Sequence, residues 1–220
     1  MNKTNSLKKL DRIQHNLLFI RLFEDFFFQN NHIICDYNMV YNKPTKSELN
    51  NLCGGHMDEI IMGNLDDNAA FKYVILNSRK KIVSIITGYY EGNRLVDICR
   101  CSKYPGGGEV LLYYALLKFN TIYNVKFISG YISGAIPAIN SNDSIETQQI
   151  KKERLIQYHL NRGAKLDDEL GNIKFTYTHP NIYDNCDQLL NKGELQFKKA
   201  RLQLTEARTK PLPLSDNSLK

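Results

Sequence analysis

Lys103-Tyr104-Pro105-Gly106-Gly107-Gly108, continued by Glu109-Val110-Leu111-Leu112, is the stretch on which the reading of this 220-residue chain turns. Directly before it, Arg94 to Cys101 has the apolar, β-branched character of a strand, and directly after it Glu109 to Phe119 is apolar nearly all round, as a buried helix is. Three glycines between a strand and a buried helix have a physical use. Without Cβ atoms the backbone N–H groups can converge on one anion, and the helix N-terminus adds its partial positive charge. A lone triple glycine also serves a tight turn that needs only positive φ; the order strand, loop, helix is what favours a phosphate cradle. The G-x-x-x-x-G-K-[ST] loop is absent, and G-x-G-x-x-G does not fit because position 111 is Leu.

Outward from the loop, Phe71 to Asn77, Lys81 to Tyr90 and Arg94 to Cys101 are runs rich in Val, Ile and Tyr, separated by Ser78-Arg79-Lys80 and Glu91-Gly92-Asn93. Connections this short predict an antiparallel meander. Val125 to Ser133 reads as a strand parallel to the third run, because a whole helix separates them. Ser144 to Arg162 reads as a helix capped by Gly163, and Ile173 to Thr178 as a last strand. On the N-terminal side, Leu7 to Gln29 lacks Gly and Pro and carries Leu10, Ile13, Leu17, Ile20 and Phe27 at helical spacing, widened by Leu18, Leu22 and Phe23. His32 to Tyr41 is strand-like, and Lys43-Pro44-Thr45 opens a short polar helix that stops near Gly54-Gly55. Cys186 to Arg208 is a charged helical segment, and the Pro211 and Pro213 region is a frayed tail.

Hydrophobic residues make up 42% and charged residues 24%, so the chain is read as soluble and folded. Twenty-nine Lys and Arg against 23 Asp and Glu give +6, which suits an anionic ligand and is too diffuse to imply DNA. Five cysteines, an odd set without a C-x-x-C pair and with no cleavable signal read before them, fit a reducing cytoplasm. Cys99 and Cys101 share one face of a strand, where a zinc site would need two further ligands. The most apolar stretch, Leu17 to Phe28, contains Arg21, Glu24 and Asp25 and is too short to cross a bilayer. The abundance of Asn, Lys, Ile and Tyr suits an AT-rich genome, such as that of a large DNA virus or an intracellular microbe.

The loop and its surroundings resemble the GNAT superfamily of acyl-CoA N-acyltransferases. That family carries [RQ]-x-x-G-x-[GA] between its fourth strand and third helix; Lys103 to Gly108 matches with Lys in the first place, and Glu109-Val110-Leu111-Leu112 resembles the x-x-L-L continuation. The resemblance runs from about Phe71 to Thr178 and includes the order of elements. It implies a GNAT-like α/β fold: a mixed, mostly antiparallel central sheet, helices on both faces, and splayed fourth and fifth strands. It also implies acetyl-CoA as the acyl donor. Gly106, Gly107, Gly108 and Glu109 would hold the pyrophosphate, Lys103 would add charge, and the backbone of Ile98 and Arg100 would face the pantetheine and thioester. The organisation implied is a helical N-terminal part with a first strand over residues 1–66, an acyl-CoA-binding core over 67–185, and a C-terminal helix and tail over 186–220. The family's second signature, a Tyr four residues before Gly-Phe, is matched in part: His159 stands at the Tyr position, Tyr158 one residue early, and Ala164 replaces Phe. The family's Asn after the fifth strand is displaced, Asn140 lying in an inserted stretch from Pro137 to Glu146.

The chemistry implied is direct transfer of an acetyl group to a primary amine in a ternary complex. A backbone N–H near a bulged fourth strand would stabilise the oxyanion, and the leaving thiolate needs a proton. His159, supported by Tyr158, is the expected donor; a histidine on the same helical face as Leu155 and Ile156 also reads as core packing. Asp97 is the expected proton acceptor for the amine, beside the plainer reading of a solvated carboxylate. Cys99 is not needed as a nucleophile. The rivals are a catalytically degenerate member that binds a coenzyme or protein, and a nucleic-acid adaptor, disfavoured because its basic C-terminal helix also carries Glu194 and Glu206 and few aromatics. The acceptor is left open, no membrane is expected, and the chain is read as a monomer or homodimer.

Overall fold

The structure, a computed structural model, describes residues 3–53, 57–103, 106–123, 127–132, 144–161, 163–169, 172–178 and 183–192. Tyr104, Pro105, Asn140, Arg162 and the charged C-terminal stretch beyond 192 lie outside the described residues. The meander forms as expected: β2 (Phe71–Leu76), β3 (Ile82–Glu91) and β4 (Arg94–Ser102) pair antiparallel in chain order. Asn77 shapes the first turn, its Oδ1 accepting from the amides of Arg79 and Lys81 at 3.0 Å each. After β4 the chain enters α4 (Gly107–Tyr123) and returns as β5 (Phe127–Ile132), parallel to β4. With β1 (Ile33–Asp36), β6 (Lys165–Glu169) and β7 (Asn172–Thr178), the sheet has seven strands in the order β1-β2-β3-β4-β5-β7-β6. It is a mixed, mostly antiparallel sheet with helices on both faces, the expected fold class.

On one face α1 (Lys3–Gln29) packs antiparallel to α4. Phe19, Ile20, Phe23 and Phe27 join Leu111, Tyr113, Leu116 and Leu117 in the larger core. Polar contacts fix the register of the two helices. The Tyr114 hydroxyl donates to Glu24 at 2.6 Å, Lys118 lies 3.5 Å from the same carboxylate, and Asn16 Nδ2 donates to Asn120 Oδ1 at 2.6 Å. A helix over residues 183–192 adds Tyr183, whose hydroxyl donates to Asn16 Oδ1 and whose ring stacks on Phe19 at 5.4 Å. Phe23 has no exposed surface, so Phe23→Ala should cost about 3–5 kcal/mol, read as a lower urea midpoint at unchanged slope.

The other face is covered by α2 (Lys46–Cys53) and α3 (Met57–Asp66), with Leu49, Ile61 and Leu65 packed on Val74, Ile85 and Cys101. Thr45 and Glu48 form a capping box at the start of α2: the Glu48 amide donates to Thr45 Oγ1 at 3.2 Å and the Thr45 amide to Glu48 Oε2 at 3.1 Å. α5 (Ile145–Leu160) begins at Ser144, whose side chain accepts from the Thr147 amide, and lies beside β5 and β6.

Four expectations need correcting. The buried stripe of α1 is Asn16, Phe19, Ile20, Phe23 and Phe27; Leu17 and Leu18 remain 50% and 53% exposed, because only one of two apolar faces can meet α4. The strand expected over His32 to Tyr41 stops at Asp36, whose carboxylate accepts from the Asn38 amide at 2.8 Å and turns Tyr37–Met39 into a single 3-10 turn. A second helix, α3, follows the short polar one. Finally, Lys165-Leu166-Asp167-Asp168-Glu169 forms β6, the edge strand. Three successive carboxylates oppose strand formation locally, and pairing with β7 overrides that propensity.

Candidate active site

Between Thr87↔Cys99 and Tyr89↔Val96 the β3–β4 register places two residues, Asp97 and Ile98, against the single residue Gly88. This is a β-bulge, and Asp97 absorbs it at φ 49°, a left-handed conformation that Asp tolerates better than most residues. The bulge bends β4 away from β5. The two strands pair only at Arg94↔Phe127 and Leu95↔Ile128, after which β5 continues its ladder with β7 alone. From Val96 to Ser102 the edge of β4 that faces β5 has no ladder partner among the described residues. Backbone donors and acceptors in such a fork can pair with an extended ligand lying between the strands.

The fork leads to the glycine loop. Gly106 takes φ 83° and its carbonyl accepts from the amides of Glu109 at 3.0 Å and Val110 at 2.9 Å, closing the first turn of α4. The Glu109 amide is thereby engaged within the turn, and the donors of Gly107 and Gly108 are the ones this helix start presents. Gly107 is buried, and a Cβ there would run into the hydroxyls of Ser84 and Ser102, which share a hydrogen bond at 2.5 Å. Its role is close approach of the helix start to the sheet. Gly108 borders Arg100: a Cβ at position 108 would sit 3.5–3.7 Å from Cδ, Cγ and Cβ of Arg100.

Arg100 continues from Gly108 to α5, where its Nη2 donates to the Tyr158 hydroxyl at 2.9 Å with the guanidinium carbon 5.4 Å from the ring centre. Its Nη1 is buried without a partner among the described residues. Gly108, Arg100 and Tyr158 are therefore brought together, with Ile98 packed on the core on their side of the sheet. Lys103 is not brought to them; it is exposed, and its amide donates to the Val83 carbonyl at 2.8 Å. Asp97 is exposed at the apex of the fork. His159 is 5% exposed, lies edge-on to Tyr158 with ring centres 5.2 Å apart, and its carbonyl accepts from the Ala164 amide to close the helix. Two functional features were not legible in the sequence: the side chain of Arg100, for which only the backbone was expected to act, and the Ser84–Ser102 support beneath Gly107. Ser102 precedes the loop directly, but its partner becomes visible only in the β3–β4 register.

Cys99 lies on the opposite face of β4, near Cys53 and Asp97. Burial, then the negative charge of Asp97, pushes its thiol up from 9.0 to about 11. At pH 8 the thiolate fraction is about two orders of magnitude below that of an unperturbed thiol, and iodoacetamide should label Cys99 correspondingly slowly compared with the unfolded chain. Burial also raises Tyr73 to about 12 and pushes up Tyr114 and Cys186. Groups held neutral by the fold stabilise it fully below their unfolded pKa values. That stabilisation is lost as pH rises from the unfolded values through the folded ones, so the melting temperature should fall from about pH 9 upward, most steeply near 10 to 11, where Cys99 and Tyr73 both contribute. Among the described residues no group of His, Cys, Asp and Glu could hold a metal, and no helix is long and apolar enough to cross a membrane.

No known protein family matches the sequence, and no curated protein does. Solved structures resemble the chain at low identity. The apo form of FdhC, a nucleotide-linked sugar GNAT, aligns at TM-score 0.43 and 12% identity over 72% of this chain and 93% of its own. An acetyltransferase from Streptococcus agalactiae aligns at TM-score 0.42 and 15% identity over 68% and 99%. The spermidine/spermine N-acetyltransferase SpeG from Vibrio cholerae, in complex with manganese ions, aligns at TM-score 0.41 and 12% identity over 67% and 92%.

Proposed function

We propose that the chain is an N-acetyltransferase that moves an acetyl group from acetyl-CoA to a primary amine by direct transfer in a ternary complex. One observation carries this reading: the β4–β5 fork opens at the Asp97 bulge and runs into the glycine-capped start of α4, with Arg100 between them. The residues suit a coenzyme that joins an extended amide chain to a pyrophosphate. The free edge of β4 can pair with the amides, and the Gly107 and Gly108 N–H groups can receive the phosphates. Arg100 Nη1, buried and without a partner among the described residues, supplies a cation beside them. Gly106 shapes the loop.

Acetyl-CoA supplies the activated thioester. At the fork, Ile98 and Arg100 offer backbone to the chain carrying it, and the bulge turns a β4 N–H toward the carbonyl oxygen on which negative charge develops. Asp97, exposed at the apex, takes the proton of the attacking amine directly or through water. We assign the proton donated to the leaving thiolate to Tyr158. Arg100 has donors only, so the phenol oxygen accepts from it and the phenolic hydrogen is directed elsewhere. His159, packed against Tyr158, holds that ring in place. The five free cysteines suit the cytoplasm.

Calorimetry tests the coenzyme part before any acceptor is known. Acetyl-CoA and CoA should bind one per chain, and Arg100→Gln should weaken both. Absence of binding by either at millimolar concentration would end this assignment.

A further inference from the structure

A cavity of about 560 Å³ lies between the start of α2, the β2–β3 turn and the end of β4. It is on the α2 side of the sheet, whereas the Arg100 side chain, Gly108 and α4 lie on the other. Its rim carries Lys43, Arg79, Lys80, Lys81 and Lys103, and a single carboxylate, Glu48. That carboxylate is committed. It lies 3.5 Å from Lys81, its other oxygen accepts from the Thr45 amide and hydroxyl, and the amide first of all holds it below the usual carboxylate range. Lys43, Arg79, Lys80 and Lys103 form no ion pair among the described residues. The apolar part of its lining that remains partly exposed comes from Pro44, Leu52 and Ile82.

Three of the five cations are consecutive in sequence, and their turn is held rather than loose. Asn77 accepts from two of their amides, the Lys80 amide donates to the Asn77 carbonyl at 2.8 Å, and Lys80 sits at φ 57°. Across the cavity the Lys103 backbone is held by the hydrogen bond that its N–H donates to the Val83 carbonyl. Like charges held around one concavity repel one another, and a ligand bearing several negative charges relieves that repulsion. The volume matches a small organic molecule.

The geometry points to a second binding site, for a small polyphosphate-bearing molecule, separate from the cradle at Gly107 and Gly108. The apolar part of the lining suits an attached ring, and the rim suits two or more linked phosphates; a nucleoside polyphosphate has both and inorganic pyrophosphate only the second. The inference stands whether or not the chain binds acetyl-CoA.

The test is titration of ATP and of pyrophosphate into the full chain, alone and with acetyl-CoA in excess. One site per chain is expected for both, unchanged by acetyl-CoA and weakened at least about tenfold in an Arg79→Glu/Lys80→Glu double variant. ATP binding more tightly than pyrophosphate assigns the apolar lining to the ring, and equal affinity assigns the site to phosphates alone. Both positions are exposed, and an unaltered melting curve confirms that the double variant folds. A Gly108→Val chain, altered only at the cradle, should bind both probes normally. The site is overturned if neither probe binds at millimolar concentration, if the double variant binds as tightly as the original, or if acetyl-CoA or Gly108→Val abolishes binding.

Discussion

Tyr158→Phe should lower kcat for acetyl transfer by about 10²- to 10⁴-fold, the usual worth of one positioned general acid, while acetyl-CoA affinity stays within a few-fold. The hydroxyl is the only group removed, and the ring keeps its place over Arg100 and against His159. His159→Gln should be mild in comparison, because a side chain 5% exposed and packed on Tyr158 positions rather than donates. The alkaline limb of the kcat profile separates the two donors. The reference pKa is about 10 for Tyr and about 6.5 for His, so a tyrosine donor keeps kcat high well past pH 8 where a histidine donor has lost its proton. If Tyr158→Phe is silent and His159→Gln removes activity, the acid is His159, as the alignment of the signature alone implied. If both are silent, the chain binds without turning over.

The second large effect lies in the loop, where neighbouring glycines should fail in different ways. Gly107→Ala should cost about 1–3 kcal/mol of stability, since its Cβ meets the Ser84 and Ser102 hydroxyls on the sheet below and one of them must move. For a chain of this length that is a fall of roughly 2–12 °C in melting temperature. Gly108→Val begins from ordinary contact with Arg100, so the fold should melt nearly unchanged. Its branches occupy the space over the helix start, and acetyl-CoA affinity should drop by about 10²-fold, the order of losing one or two charge-assisted hydrogen bonds. A Gly108→Val chain that binds acetyl-CoA normally would place the pyrophosphate elsewhere. Equal melting curves for the two variants would remove the structural role given to Gly107.

Local pattern made the middle of the chain legible. Alternation and short turns determined the β2–β4 meander, and the unbroken apolar run after Gly108 determined α4, because strand and helix periodicities are set by the backbone itself. The glycine loop was legible for the same reason: absence of Cβ is a property of the residue, whatever surrounds it. Pattern could not rank the two apolar faces of α1, since both satisfy helical spacing and only α4 chooses between them. Nor could it show β6, whose carboxylates read as loop until β7 supplies the ladder. At the site, sequence alone placed Gly106, Gly107 and Gly108 at a helix start and Tyr158 and His159 on a later helix. Only tertiary structure decided that Arg100 ties Gly108 to Tyr158, that His159 turns into the core, and that β4 leaves β5 at the Asp97 bulge. Those are contacts between residues some 8 to 58 positions apart, fixed by strand register and helix packing rather than by the identity of near neighbours.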